Sequence, residues 1–187
     1  NQKLTYQIDK LKELIPNQIF GFENDTMESV VGKLLNQLNS TVSTAESCTG
    51  GTVAKLLTSI SGSSSYFNGS VVTYTNLSKE EILDVDSNVL NTEGAVSQNT
   101  VEKMAKKVRS IFHSDFGLAT SGIAGPTGGT NDKPVGTVWI AISSNEKTIS
   151  KKLNLGYNRE RNIHVSALSA LNLLRLELVK MKLTKSS

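Results

Sequence analysis

The chain is 187 residues long, with 37% hydrophobic and 20% charged residues and a formal charge of +3. That is one domain's worth of sequence at roughly 100–200 residues per domain, with enough length to bury a core without disulfide or metal staples. A bilayer span needs about 18–20 apolar residues in a row, and a nucleic-acid binder normally carries a basic stripe with interleaved aromatics; here the apolar runs are short, aromatics are 5%, and the basic residues are scattered apart from Lys180, Lys182 and Lys185.

Residues 1–26 read as a short helix and a loop, broken by Pro16 and Gly21. Residues 1–15 carry Lys3, Lys10 and Lys12 among their apolar residues, so no signal peptide is expected and the expected location is cytoplasmic. In that setting the sequons at Asn24, Asn39, Asn68 and Asn76 carry no meaning. The chain lacks a starting Met, and the expectation is a piece of a longer protein, with 1–25 a linker or N-terminal extension and 26–187 the domain.

Asn24-Asp25-Thr26 reads as a helix start. Met27, Val30, Val31, Leu34, Leu35 and Leu38 then fall on one helical face, and Asn39-Ser40 ends the helix. Residues 41–44 read as a buried strand running into Glu46-Ser47-Cys48-Thr49-Gly50-Gly51, with a helix following through Ile60. Residues 61–65 are a loop and 71–75 the next strand. Ser78 to Glu81 reads as a capping box, Ser at the cap and Glu three later, opening a short helix.

Ser97 caps a helix with Val101, Met104, Ala105, Val108, Ile111 and Phe112 on one face. Residues 116–120 are a strand, followed by a glycine-rich loop from Ser121 to Pro134. Residues 136–143 and 148–155 read as two strands joined by Ser144-Asn145-Glu146. The last helix runs from about Arg159 to Met181, with Ala167, Leu171, Leu174, Leu178 and Met181 inward. Alternating strands and helices predict a three-layer α/β/α domain. The short link between the last two strands makes them antiparallel, so the sheet is mixed, mostly parallel.

Four constellations could carry chemistry. Glu46 to Gly51 lies at a strand-to-helix junction, where backbone N–H groups and a helix N-terminus can converge and a nucleophile can find an oxyanion hole; a Ser/Thr-rich cap is the plain alternative. Gly50 and Gly51 would let a ligand approach the backbone. The loop with Ser121, Gly122, Gly125 and Gly128 could offer amides to a phosphate or carboxylate, or be merely flexible; it is neither a P-loop nor a dinucleotide fingerprint. Tyr74 and Asn76 sit at a strand end, with Lys79 in the following helix. A helix N-terminus and burial would each depress the lysine pKa toward use as a base; an exposed first-turn lysine is the alternative. Arg159 and Arg161 could clamp an anion or lie on the surface.

One cysteine, Cys48, and two histidines, His113 and His164, exclude a disulfide framework and a thiol-rich zinc site. Neither histidine has an acid partner at informative spacing, so a Ser-His-Asp triad has little support.

Taken together, TAESCTGG, GSSSYFNGSVVTYTNLSK, GAVS, SGIAGPTGGT and KPVGTVWIA, in this order over residues 26–180, closely resemble the C-terminal domain of the competence/damage-inducible CinA family, also found alone as nicotinamide-nucleotide amidase. The resemblance implies hydrolysis of the carboxamide of nicotinamide mononucleotide without metal or cofactor. It implies Ser47 as nucleophile in preference to Cys48, Lys79 as base, Tyr74 as an orienting or relay group, and Ser121 as a hydroxyl where the family often has threonine. Glu46, Cys48, Thr49, Gly50, Gly51, Asn76, Gly122, Gly125, Gly128, Arg159 and Arg161 are the expected substrate contacts. The family's second arginine falls at Ile163 here, which leaves open whether Arg161 substitutes. The expected partner is a small nucleotide, with no nucleic acid and no membrane, in a homodimer. The competing readings are a non-catalytic nucleotide-binding or regulatory domain and, from the family's name alone, a DNA-repair factor.

Overall fold

The structure is a computed structural model and describes residues 2–156 and 158–185. The elements are α1 (Gln2–Leu14), α2 (Met27–Leu38), β1 (Val42–Glu46), α3 (Thr52–Thr58), a 3-10 turn (Ser63–Ser65), β2 (Phe67–Val72), α4 (Asn76–Leu83), α5 (Ser87–Thr92), α6 (Gln98–Ile111), β3 (Phe116–Gly122), β4 (Thr137–Ser143), β5 (Thr148–Asn154) and α7 (Arg159–Lys185). The five strands form one sheet in the order β2-β1-β3-β4-β5. β1 runs parallel to both β2 and β3, whereas β4 is antiparallel to both β3 and β5. The sheet is therefore mixed, as the short β4–β5 link requires.

Two apolar clusters cover its faces. α2, α3 and α7 pack together on one side, and Val31, Leu35, Leu57, Leu171, Leu174 and Leu178 are fully buried there. On the other side α6 lies across β1, β3 and β4 with Val101, Met104, Ala105 and Val108 inward, and α4 packs against α6. Each fully buried aliphatic side chain contributes roughly 1.5–3 kcal/mol of transfer free energy. Gly117 marks a close approach of α6 to the sheet, because a Cβ there would lie 2.0 Å from the Ala105 carbonyl oxygen. Among the described residues no helix is long and apolar enough to cross a membrane.

Several boundaries move from their expected places. β1 extends to Glu46, with all five side chains buried, because parallel partners flank it and helices cover both faces. β2 begins at Phe67 and ends at Val72, earlier than the β-branched run suggested. Gly69 is tolerated inside it because the Phe112 ring occupies the space a side chain would take. The expected cap at Ser78 is corrected. Thr75 caps α4, with its Oγ1 accepting from Ser78 N at 3.1 Å and Ser78 Oγ accepting from Thr75 N at 3.1 Å. The extended Thr75 backbone leaving β2 places the cap three residues earlier, with Ser78 in the position that Glu or Gln takes in the usual signature. α5, capped by Asp86, was not foreseen. Ile111 is exposed rather than inward, since it sits in the last turn of α6 beyond the edge of the core.

Candidate active site

The strand order places β1 between β2 and β3, so the connections leaving β1 and reaching β3 diverge at that point. In open α/β sheets a crevice forms there, outside the carboxyl ends of the strands. The crevice holds a cavity of about 180 Å³ lined by Ser47, Cys48, Tyr74, Asn76, Lys79, Ala95, Val96, Ser121, Gly122, Ala124 and Arg159.

Ser47 follows the last residue of β1 and continues the ladder. Its N–H donates to the Thr120 carbonyl at 3.1 Å, while Thr73 N donates to the Glu46 carbonyl at 2.9 Å. The turn that carries Ser47 is thus fixed from both flanking strands. Lys79, the fourth residue of α4, reaches back into the crevice. It is 1% exposed, and its Nζ lies 3.1 Å from Ser47 Oγ and donates to the Thr73 carbonyl at 2.8 Å. Among the described residues no carboxylate forms an ion pair with it. Burial lowers the Lys79 pKa below its ordinary 10.5, because a desolvated ammonium is disfavoured. The depression anticipated from sequence has burial as its leading cause.

Cys48 faces the same cavity but is chemically unlike a nucleophile here. Burial pushes its thiol up to about 12, with Lys79 and Arg159 opposing only in part. The thiolate is the reactive form, and burial disfavours it here.

Glu46 does not line the cavity. It is fully buried, and its carboxylate closes the start of α3: Oε2 accepts from Thr49 Oγ1 at 2.7 Å, Gly51 N at 3.0 Å and Val53 N at 3.0 Å, and Oε1 accepts from Ala54 N at 2.8 Å. This corrects its expected place among substrate contacts and removes the α3 N-terminus as an anion site, since the chain's own carboxylate fills it. Thr49 is likewise 2% exposed and bonded to Glu46 and to Thr120 Oγ1 at 2.7 Å, outside the cavity. Gly50 and Gly51 supply φ values of +57° and +95° for the turn. They are not among the lining residues.

The glycine loop divides. Gly122 and Ala124 line the cavity, the Gly125 carbonyl accepts from Arg159 Nη1 at 2.8 Å, and Gly128 lies outside on the exposed part of the loop. Asn162, buried on α7, ties the loop down by donating from Nδ2 to the Ala124 carbonyl at 3.0 Å. Nothing in the sequence singled it out. Ser121 is 1% exposed and donates to the Ala95 carbonyl at 2.6 Å. That contact gives the GAVS segment a place, which sequence reading left unassigned. Asn76 lines the mouth. Tyr74 is 57% exposed, and its hydroxyl accepts from Arg159 Nη2 at 2.8 Å. Tyr74 is therefore joined to Arg159 and not hydrogen-bonded to the Ser47–Lys79 pair. Arg161, one residue beyond the first turn position of Glu160, is exposed and not among the lining residues. No cluster of three or more His, Cys, Asp or Glu side chains suited to a metal occurs among the described residues.

The comparisons with known proteins agree in direction. The family model described as the CinA C-terminal domain matches residues 24–178. A CinA-like protein of Cytophaga hutchinsonii is 48% identical over 180 residues, covering 96% of this chain and 43% of that protein. A CinA-like protein of Amoebophilus asiaticus is 46% identical over 165 residues, covering 88% of this chain and 40% of that protein. The chain thus spans less than half the length of these curated relatives. Among solved structures, the competence/damage inducible protein CihA from Agrobacterium tumefaciens superposes with a TM-score of 0.78 at 35% identity, covering 84% of this chain and 98% of that one. A CinA superfamily protein from Klebsiella pneumoniae superposes with a TM-score of 0.80 at 28% identity, covering 82% and 96%. With the family model matched over most of its length and close relatives matched across nearly all of it, the chain belongs to the CinA family, as its C-terminal domain.

Proposed function

We propose that this domain hydrolyses the carboxamide of nicotinamide mononucleotide to nicotinate mononucleotide and ammonia, with Ser47 as nucleophile and Lys79 as base. The observation that carries the reading is the buried contact of 3.1 Å between Ser47 Oγ and Lys79 Nζ at the end of β1. A serine hydroxyl is a weak nucleophile and an amide a poor electrophile, so the site must remove a proton and stabilise an oxyanion.

In this mechanism neutral Lys79 takes the Ser47 proton as Oγ bonds to the carboxamide carbon. The Thr73 carbonyl holds one Nζ–H, which turns the amine lone pair toward Ser47. The carbonyl electron pair moves to oxygen. Ser47 N, Gly50 N and Gly51 N are committed to Thr120, Ser47 and Glu46, which leaves the N–H groups of Cys48 and Thr49 in this turn; we assign the oxyanion to that of Cys48, next after the nucleophile, by analogy with other strand-to-helix elbows. Collapse re-forms the carbonyl and breaks the C–N bond, with Lys79 returning its proton so that nitrogen leaves as ammonia. Water then attacks the acyl-serine, again giving its proton to Lys79, and the acid departs as Ser47 is reprotonated.

Arg159 fits the phosphate. Its guanidinium rests on two neutral oxygens, those of Gly125 and Tyr74. No carboxylate pairs with it among the described residues, so its charge is available at the cavity mouth. The test is ammonia release from nicotinamide mononucleotide, its riboside and free nicotinamide. Turnover of the mononucleotide in preference to the other two is expected. Binding without ammonia release would instead favour a non-catalytic nucleotide-binding domain.

A further inference from the structure

We infer that Ser121 selects a carboxamide over a carboxylate by presenting only lone pairs to the cavity. The inference rests on the amidase reading above and adds the group that tells substrate from product. A serine hydroxyl has one proton and two acceptor sites. A backbone carbonyl can only accept, so the 2.6 Å contact with the Ala95 carbonyl commits that proton. No donor among the described residues reaches Ser121 Oγ. Ser121 lines the same cavity as Ser47 and Lys79 while being almost wholly removed from solvent. Its backbone is held in register with Trp139 in the β3–β4 ladder, so it cannot retreat with a bound ligand.

A carboxamide nitrogen carries two N–H donors, whereas an ionised carboxylate has none. Ser121 therefore accepts from the substrate nitrogen but opposes a product oxygen, lone pair against lone pair. An unmatched polar group in a desolvated site is costly, and a site built around one hydrogen-bond polarity discriminates strongly against a ligand of the other. The contact also orients the group under attack. With nitrogen on Ser121, the carbonyl oxygen is left for the Cys48 amide and the carbon for Ser47. Product formation then destroys the interaction that held the substrate.

The test compares Ser121→Ala and Ser121→Thr, measuring KM and kcat for nicotinamide mononucleotide and Ki for nicotinate mononucleotide. Ser121→Ala is expected to raise KM about tenfold and to lower Ki about tenfold. Ser121→Thr, which keeps the hydroxyl, restores both. Because Ser121→Ala strands the Ala95 carbonyl and can disturb folding, a second measurement keeps Ser121. Calorimetry on Ser47→Ala protein compares nicotinamide mononucleotide with the mononucleotide of 3-acetylpyridine, which is similar in shape but has no N–H at that position. About tenfold weaker binding of the ketone is expected. Equal binding of the two ligands, or a Ser121→Ala variant that weakens amide and acid alike, overturns the inference while leaving the amidase reading intact. Absence of ammonia release by the unmodified protein overturns both.

Discussion

Glu46→Gln tests the structural assignment that departs furthest from the sequence. Four donors converge on the fully buried Glu46 carboxylate, three on Oε2 and one on Oε1; Thr49 and Val53 are buried as well, and Gly51 and Ala54 are half-buried. An amide in its place keeps one oxygen. The better of its two orientations puts that oxygen on Thr49, Gly51 and Val53 and turns an NH₂ against Ala54 N–H. One charge-assisted hydrogen bond is lost and two donors face each other. A bond to a charged group contributes about 1.5–3 kcal/mol and a stranded donor costs about 1–3 kcal/mol, so the variant should lose roughly 2.5–6 kcal/mol, toward the lower end because Ala54 is only half-buried. For a chain of this length that is about 5–24 °C in Tm, at roughly 2–4 °C per kcal/mol. Urea or thermal unfolding reads the loss, and turnover measured well below the new Tm reads any direct role. Stability within about 1 kcal/mol of the unmodified protein, together with a large rise in KM, would refute the reasoning and return Glu46 to the substrate.

The other expectations concern the reacting groups. Ser47→Ala should cost at least ~10³-fold in kcat while Cys48→Ala keeps most activity; steady-state ammonia release decides, and reversed results would make the thiol the nucleophile. Because Lys79 must be neutral to act, kcat should rise with pH along a limb whose midpoint lies below 10.5, the direction in which burial moves the group. Lys79→Arg should be inactive, since a guanidinium releases no proton in this range, and near-normal turnover in that variant would end the serine–lysine mechanism. The same shift has a sign for stability. Between the lowered folded pKa and the unfolded value the unfolded chain binds more protons, so the Lys79 contribution is least favourable at low pH and improves as pH rises through that window. Arg159→Ala should raise KM for the mononucleotide far more than for the riboside, which lacks the phosphate; equal effects on both would place the phosphate elsewhere.

What the sequence made legible follows from how local each signal is. α2 and α6 announce themselves because a 3.6-residue apolar period and a Thr or Ser cap lie within a dozen residues, and Val31, Leu35, Met104 and Val108 are indeed buried. α5 has six residues and buries only Leu90, so no period exists to read. β2 hides because Asn68-Gly69-Ser70 resembles a turn until Phe112, more than forty positions away, fills the space above Gly69. The strand-to-helix elbow at Ser47 was visible, but its donor accounting was not. A sequence cannot say that Glu46 takes the N–H groups at the start of α3 before any ligand does. Ser47 and Lys79 are 32 positions apart. Composition and spacing offered no reason to join them, and only the family resemblance did so before the β1–β2 pairing and the turn of α4 placed them together.

The position and size of the cavity follow from one feature of the topology. β1 delivers Ser47 at the point where its neighbours lead away on either side, β2 through Thr73 into α4 and β3 through Ser121 into the glycine loop. The α5–α6 link and the start of α7 close the remaining sides with Ala95, Val96 and Arg159. Walls drawn from five separate segments can exclude water from Lys79, as its lowered pKa requires, while leaving about 180 Å³ open. That is below the roughly 300–1,000 Å³ typical of pockets that enclose a whole ligand. On the proposed amidase reading, the carboxamide-bearing ring would occupy this cavity and the sugar phosphate would extend past exposed Tyr74 toward Arg159. Contacts at that remote end can then hold the amide against Ser47 without adding bulk around the reacting carbon, which is how binding energy far from the scissile bond lowers the barrier at it. On the same reading a ligand that lacks the phosphate is expected to enter the cavity without that hold, and the difference in turnover between mononucleotide and riboside, compared in the unmodified protein and in Arg159→Ala, tests whether Arg159 supplies it.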